Sequence, residues 1–303
     1  MTVVFPLYSW GQTAREVTIT STVDDSEQAA MFYAPEASGA VPLVVVLHTW
    51  LGDYRQDAHK AVEEWCMKKG WAYIHPDFRG PNIRPEATGS EQVLQDILDA
   101  VTYARKEVDI DDESIFLVGT SGGGYTALLM AGRYPEIWAG VSVWVPIVDL
   151  TAWYHECKEA DIKYFEDVEA SCGGIPGASP AVDKEYRKRS PLTWLSNAKG
   201  LHLHINAGIR DGHDGSVPVS HTLLAFNEVA APRDKISPED ICFFVDRIQV
   251  PKQLKKKIND PTYGEKQPLF RRCSGNTMVT IFDGAHDFIP EAALAWIESI
   301  KLP

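Results

Sequence analysis

Two uninterrupted apolar runs, Leu43-Val-Val-Val-Leu47 and Ile115-Phe-Leu-Val118, most constrain what this chain can fold into. A strand wetted on one face alternates apolar with polar residues, whereas a run that is apolar at every position suits a strand covered on both faces. The intervening sequence has helical spacing. Ala58, Ala61, Val62, Trp65 and Cys66 make one stripe, which Gly70 closes as a C-cap; Val93, Leu94, Ile97, Leu98, Val101 and Ala104 make another behind the N-cap Ser90. Further strand-like runs are Arg15–Thr20, Ala29–Tyr33, Trp71–His75, Gly140–Val145, Leu201–Asn206 and Thr277–Phe282, with an acidic turn at Asp24 and Asp25 joining the first two as a hairpin. Strands alternating with helices predict an α/β fold. The expected form is an eight-stranded, mostly parallel sheet with helices on both faces, one domain over residues 1–303.

Two stretches break that rhythm. Residues 149–199 are polar and aromatic, and residues 232–276 carry Pro251, Lys252, Lys255, Lys256 and Lys257 before a polar tail. Both read as insertions over the sheet edge that form a lid or pocket wall, with the lysines on a solvated helix face. Acidic residues outnumber basic ones, 42 to 29, for a net charge of −13. That balance disfavours nucleic acid and anionic membrane as partners, because phosphate affinity needs clustered cations. No run of 18 apolar residues is present, and Met1–Pro6 carries neither a basic leader nor a long apolar core, so a cytoplasmic location is expected, or an exported mature form if a leader was removed. Five cysteines without C-x-x-C spacing argue against a disulfide framework or a zinc site; an exported protein would still allow a Cys157–Cys172 bridge. No nucleotide-binding glycine motif occurs, and no cofactor is expected.

The sharpest chemical signal is Gly119-Thr-Ser121-Gly-Gly123, a G-x-S-x-G. It follows the apolar run ending at Val118 and precedes the apolar segment Tyr125–Ala131, the strand–turn–helix setting of a nucleophile elbow. Small flanking residues permit a tight turn that exposes the hydroxyl, and the helix N-terminus favours a developing oxyanion. A serine needs a base. His286 lies just after the last predicted strand; Asp211 and Asp214 lie just after Leu201–Asn206, and Asp149 follows the sixth strand. Each therefore sits at a strand's C-terminal end, where open α/β sheets place their sites.

These residues, with Asp214-Gly-Ser-Val-Pro, Gly-Ala-His286, Arg189-Ser-Pro-Leu and His75-Pro-Asp-Phe-Arg79-Gly, make the chain resemble the α/β-hydrolase family over roughly residues 40 to 300, and more narrowly its prolyl-oligopeptidase-like and carbohydrate-esterase-like branches. The resemblance implies Ser121 as nucleophile, His286 as general base and acid, and an aspartate orienting the imidazole. It favours Asp214 over Asp211, because it places the acid three residues before the Val217-Pro218 pair. The oxyanion donors are Gly122 and either Thr49 or Trp50, in the loop after the third strand, with His48 a structural hydrogen-bonder.

Trp144, Trp153 and Tyr154 are candidates for stacking on a sugar ring or an aromatic acyl group, and Arg79 for binding a substrate carboxylate. His202 and His204 share a strand face but lack a third metal ligand. His213 either touches substrate or packs the loop. The expected reaction is hydrolysis of a carboxylic ester of a small molecule or oligosaccharide, acetyl or feruloyl, through an acyl-enzyme. A prolyl-oligopeptidase-like peptidase is the alternative, and a non-catalytic binding module the third reading.

Overall fold

The computed structural model describes residues 13–300; the Met1–Pro6 start lies outside the described residues. Strand β1 (Arg15–Thr20) pairs antiparallel with β2 (Glu27–Tyr33), as the hairpin reading expects, and β2 pairs antiparallel with β4 (Ala72–Pro76). From there β3 (Val41–Leu47), β5 (Ile110–Thr120), β6 (Gly140–Trp144), β7 (His202–Gly208) and β9 (Thr277–Phe282) continue in parallel, and β8 (Pro268–Ser274) closes the far edge antiparallel. The order is β1-β2-β4-β3-β5-β6-β7-β9-β8.

Among the described residues the sheet thus has nine strands rather than the expected eight, β8 being the addition. It lies inside the second expected insertion, extending the sheet instead of covering it. Ser274 faces Thr277 across a Gly275-Asn276 turn, with Gly275 at φ 58°. A two-residue Gly-Asn link between extended runs is a hairpin signal.

The apolar runs are covered on both faces because successive side chains of a strand point opposite ways. Val44, Val46, Phe116 and Val118 pack with Val62 and Cys66 of α1 (Lys60–Lys69) and with Leu294 and Ile297 of α9 (Pro290–Ser299). The alternate residues Leu43, Val45, Leu47, Ile115 and Leu117 face the larger core with α2 (Glu91–Glu107), α3 (Gly122–Arg133) and α7 (Val219–Val229). Helix α1 ends at Gly70 in the left-handed conformation, φ 67°, and Ser90 caps α2 by accepting the Val93 N–H at 3.2 Å. Both ends are where the sequence places them.

The first expected insertion folds as α4 (Leu150–Glu159), α5 (Tyr164–Cys172) and α6 (Pro180–Arg189). The second holds α8 (Pro238–Arg247) before β8. The lysine run is exposed but not on a helix face: one 3₁₀ turn covers Lys252–Leu254, and Lys255–Lys257 follow in irregular chain. All five cysteines are free thiols, Cys157 and Cys172 buried. No described helix is long and apolar enough to cross a membrane.

Candidate active site

Ser121 stands between β5 and α3 with φ 57° and ψ −119°. A left-handed φ in a residue with a Cβ costs on the order of 1–3 kcal/mol and persists only where its surroundings impose it. Here they do. A Cβ on Gly119 would overlap the Gly123 carbonyl, and one on Gly123 would overlap the carbonyl oxygen of Leu47. Both motif glycines therefore let strand and helix cross at backbone contact. The Ser121 N–H donates to the Trp144 carbonyl at 2.8 Å, and its own carbonyl accepts the Tyr125 N–H at 2.8 Å. The turn is fixed from both sides while the hydroxyl makes no hydrogen bond among the described residues.

His286 follows β9 and presents Nδ1 to Asp211, 2.9 Å from Oδ2 and 3.0 Å from Oδ1. The Asp211 side chain is only 1% exposed. Its Oδ1 also accepts the Gly212 and Val217 N–H groups at 3.0 and 3.2 Å, so the carboxylate is held on three sides. A Cβ on Gly215 would lie 2.7 Å from the His286 Cβ, which explains the glycine beside this pair.

The expected acid, Asp214, is not brought to the imidazole. Its side chain is 61% exposed and ion-paired with Arg210 at 3.2 Å. The physical reason is the turn after β7: the Gly212 and Val217 N–H groups draw Asp211 inward, while Arg210 on the outer side holds Asp214. Asp149 serves elsewhere, capping α4 by accepting the Thr151 and Ala152 N–H groups.

The loop after β3 separates the two candidate oxyanion donors. The Thr49 N–H is engaged by Gln56 Oε1 at 2.8 Å, and the Gln56 amide donates back to the Thr49 hydroxyl at 2.8 Å. The Trp50 N–H has no partner among the described residues and adjoins Gly122, where a Cβ would meet the Trp50 nitrogen at 2.5 Å. Trp50 is itself anchored, its carbonyl accepting the Asn82 N–H at 2.8 Å. His48 ties this loop to the end of β4, with Nδ1 2.9 Å from the Thr49 carbonyl and Nε2 2.8 Å from the Asp77 carbonyl, and it stacks on Phe78 at 3.9 Å. Burial pushes the His48 imidazole below its ordinary pKa, against the pull of those two carbonyls.

The four expected substrate-binding residues lie elsewhere. Trp144, Trp153 and Tyr154 are all under 2% exposed, core side chains rather than a sugar platform. The Trp144 indole donates to the Ser142 hydroxyl at 3.0 Å, and the Trp153 indole to the Ser216 carbonyl at 2.8 Å, bracing α4 against the loop that carries Asp211. Arg79 is buried and paired with Asp96 at 2.6 Å and Asp24 at 2.7 Å, too engaged for a substrate carboxylate. Large aromatics near strand ends are as readily core as lining, and sequence alone does not separate the two. His213 packs the loop, its Nε2 2.9 Å from the Val245 carbonyl. His204 is buried between the Ser142 and Tyr263 hydroxyls, stacked on Trp296.

Sequence reasoning did not single out two partly exposed residues of α5. Tyr164 stacks on Trp153 with ring centres 5.4 Å apart, and Asp167 accepts the Trp50 indole N–H at 3.1 Å. Burial raises the Asp167 carboxyl above its ordinary pKa. No described group of three or more His, Cys, Asp or Glu side chains is disposed to hold a metal ion.

Residues 59–237 match the prolyl oligopeptidase family, Peptidase_S9. The chain belongs to the prolyl oligopeptidase family. Similar curated proteins include acylamino-acid-releasing enzyme 2 of Oryza sativa, 22% identical over 227 residues (69% of this chain and 28% of the relative), and dipeptidyl aminopeptidase BIII of Pseudoxanthomonas mexicana, 26% identical over 186 residues (58% and 26%). Another is the uncharacterized protein YfhR of Salmonella typhi, 28% identical over 129 residues (41% and 44%). The chain spans less than half the length of each of these relatives. Among solved structures, a puromycin hydrolase superposes with a TM-score of 0.62 at 16% identity over 95% of this chain and 38% of that one. An acylaminoacyl peptidase from Pyrococcus horikoshii gives 0.56 at 22% over 71% and 34%. The α/β-hydrolase fold expected of a prolyl-oligopeptidase-like chain is thereby established.

Proposed function

We propose that this member of the prolyl oligopeptidase family is a serine hydrolase that cleaves the acyl–nitrogen bond of short peptides or aminoacyl amides. The carrying observation is the Asp211–His286 pair, set at the same sheet end as a serine hydroxyl held at φ 57°. Ser121 Oγ attacks the carbonyl carbon while His286 Nε2 takes its proton. The tetrahedral oxyanion is received by the Gly122 and Trp50 N–H groups; each such donor is typically worth about 10²–10³ in rate. The imidazolium then returns the proton to the leaving nitrogen, and water releases the acyl group by the same steps in reverse order. Asp211 holds Nδ1 protonated and the ring in place.

Peptide-type substrates come before carbohydrate esters for a structural reason: the aromatic side chains that would stack a sugar ring are buried in the core. Relatives named for acylamino-acid release and dipeptide removal support the same order. Asp167, a carboxylate hydrogen-bonded to the side chain of the oxyanion-loop tryptophan, suits a substrate bearing an amine. We assign residues 13–300 to a single hydrolase domain with α4–α6 as one pocket wall. Small esters remain chemically accessible, since an ester carbonyl is less resonance-stabilised than an amide and releases a better leaving group to the same nucleophile.

The test compares alanyl and N-acetyl-alanyl p-nitroanilides with p-nitrophenyl acetate and methyl ferulate, for the wild type and Ser121→Ala. Turnover of an anilide that Ser121→Ala lowers by about 10⁴ or more supports the proposal. Turnover of methyl ferulate with both anilides inert would replace it with an esterase reading. Equal activity of the two proteins would remove Ser121 from the mechanism.

A further inference from the structure

Beside α8 lies a cavity of about 440 Å³, within the range of small-molecule sites. Its walls are of two kinds. Ile209, Ile248 and Leu269 supply apolar surface, and Lys255, Lys256 and Lys257 are the charged residues of the lining. None of the three lysines has an ion-pair partner among the described residues, although the chain carries a net charge of −13. In so acidic a protein, three adjoining cations without an ion-pair partner form a local field that attracts an anion.

A second observation concerns Ile248. It occupies the C-cap of α8 with φ 50° and ψ 40°, the left-handed conformation in which glycine is the ordinary choice. A β-branched residue there is strained, since its Cβ crowds the backbone. The strain keeps an aliphatic side chain in the cavity wall, which glycine would open.

We propose that this cavity binds an anionic amphiphile, an unbranched hydrocarbon chain ending in a carboxylate, with the chain against Ile209, Ile248 and Leu269 and the head on Lys255–Lys257. The site is separate from the Ser121 machinery and does not depend on the peptidase reading. Ile209, which stands two residues before Asp211, is part of its lining.

The test is titration calorimetry of the whole protein with sodium decanoate below its micelle concentration, with decanol as the uncharged control. Measurements use wild type, wild type inactivated at Ser121 by phenylmethylsulfonyl fluoride, the triple variant Lys255→Gln/Lys256→Gln/Lys257→Gln, and Ile248→Gly. The expected result is one saturable site on both untreated and inactivated protein, tighter for decanoate than decanol and weaker as salt rises. The triple variant should lose roughly tenfold or more in affinity, the sum of three exposed charge interactions. Ile248→Gly should lose affinity while keeping or raising its unfolding temperature, since glycine relieves the left-handed strain; that separates a binding loss from misfolding. Absence of binding, equal affinity for decanol, loss on Ser121 inactivation, or unchanged affinity in the triple variant would each overturn the proposal.

Discussion

At the scale of single residues, one turn decides which aspartate meets the His286 imidazole. Asp211 and Asp214 are three apart in the run Asp-Gly-His-Asp, and both follow the strand that should carry the acid. Composition and order cannot choose between them; the choice is made by backbone N–H groups that draw one carboxylate inward and by Arg210, which holds the other in solvent. Ser121 and His286 are singled out in the sequence because each stands alone at its strand end, and the structure places them after β5 and β9. Asp211→Asn should lower kcat/KM by about 10⁴, as for loss of a triad acid that sets the imidazole tautomer, while Asp214→Asn stays within a few-fold of wild type. Anilide kinetics on the two variants check this, and a large loss in Asp214→Asn alone would reinstate the original assignment. Arg79 is the converse case: the sequence singles it out for a substrate, and the structure instead ties it to two aspartates. Its pairs with Asp96 and Asp24 bind the β1–β2 turn to α2, so Arg79→Ala should cost about 3–5 kcal/mol by leaving Asp96 buried and unpaired. Urea unfolding measures that, and KM of the surviving folded protein should not move.

At the scale of elements, what the sequence shows clearly is what periodicity encodes. The all-apolar runs, the capped helices and the strand–turn–helix around Ser121 all announce themselves in residue type and spacing. Strand β8 does not, because Pro268-Leu-Phe-Arg-Arg-Cys-Ser starts with proline and carries two arginines, a composition that edge strands tolerate and pattern rules discount. Its only local signal is the Gly-Asn turn behind it. The elbow itself makes a quantitative case. A methyl group on Gly123 must displace the end of β3, whereas Gly39 has no atom within 4 Å of its missing Cβ. Gly123→Ala should therefore lose stability by about 2 kcal/mol or more through overpacking, with activity falling alongside, and Gly39→Ala should be neutral to within about 0.5 kcal/mol. Thermal melts of the pair, read beside their kcat values, check the contrast. Equal melting temperatures would mean that α3 and β3 are not locked at this crossing.

At the scale of the whole molecule, two electrostatic effects oppose each other between pH 6.5 and 4. The net charge of −13 means that acidification relieves self-repulsion, which by itself would raise stability. Against it stands a group of histidines buried in the neutral form. His59 Nε2 lies 3.2 Å from the hydroxyl of Thr120, the residue before Ser121, and its Nδ1 has no partner among the described residues; His75 packs on it with ring centres 6.0 Å apart and an unpartnered Nε2. Burial first, and then the neighbouring histidines, lowers His59 to about 4 and His75 well below its ordinary value, while burial brings His204 to about 3. Each folded pKa lies below the unfolded one, so the unfolded chain takes up protons first. Stability is full above pH 6.5 and is lost as pH falls toward the folded values. For His59 alone the loss down to pH 4 is on the order of 3 kcal/mol, more than diffuse surface repulsion at physiological salt returns. Unfolding free energy in urea should accordingly decrease from pH 7 to 4.5. His59→Gln, which keeps a side-chain donor and acceptor for Thr120 without a titrating ring, should flatten that slope. A stability that rises on acidification would show that overall charge, not the histidines behind the elbow, governs the acid response.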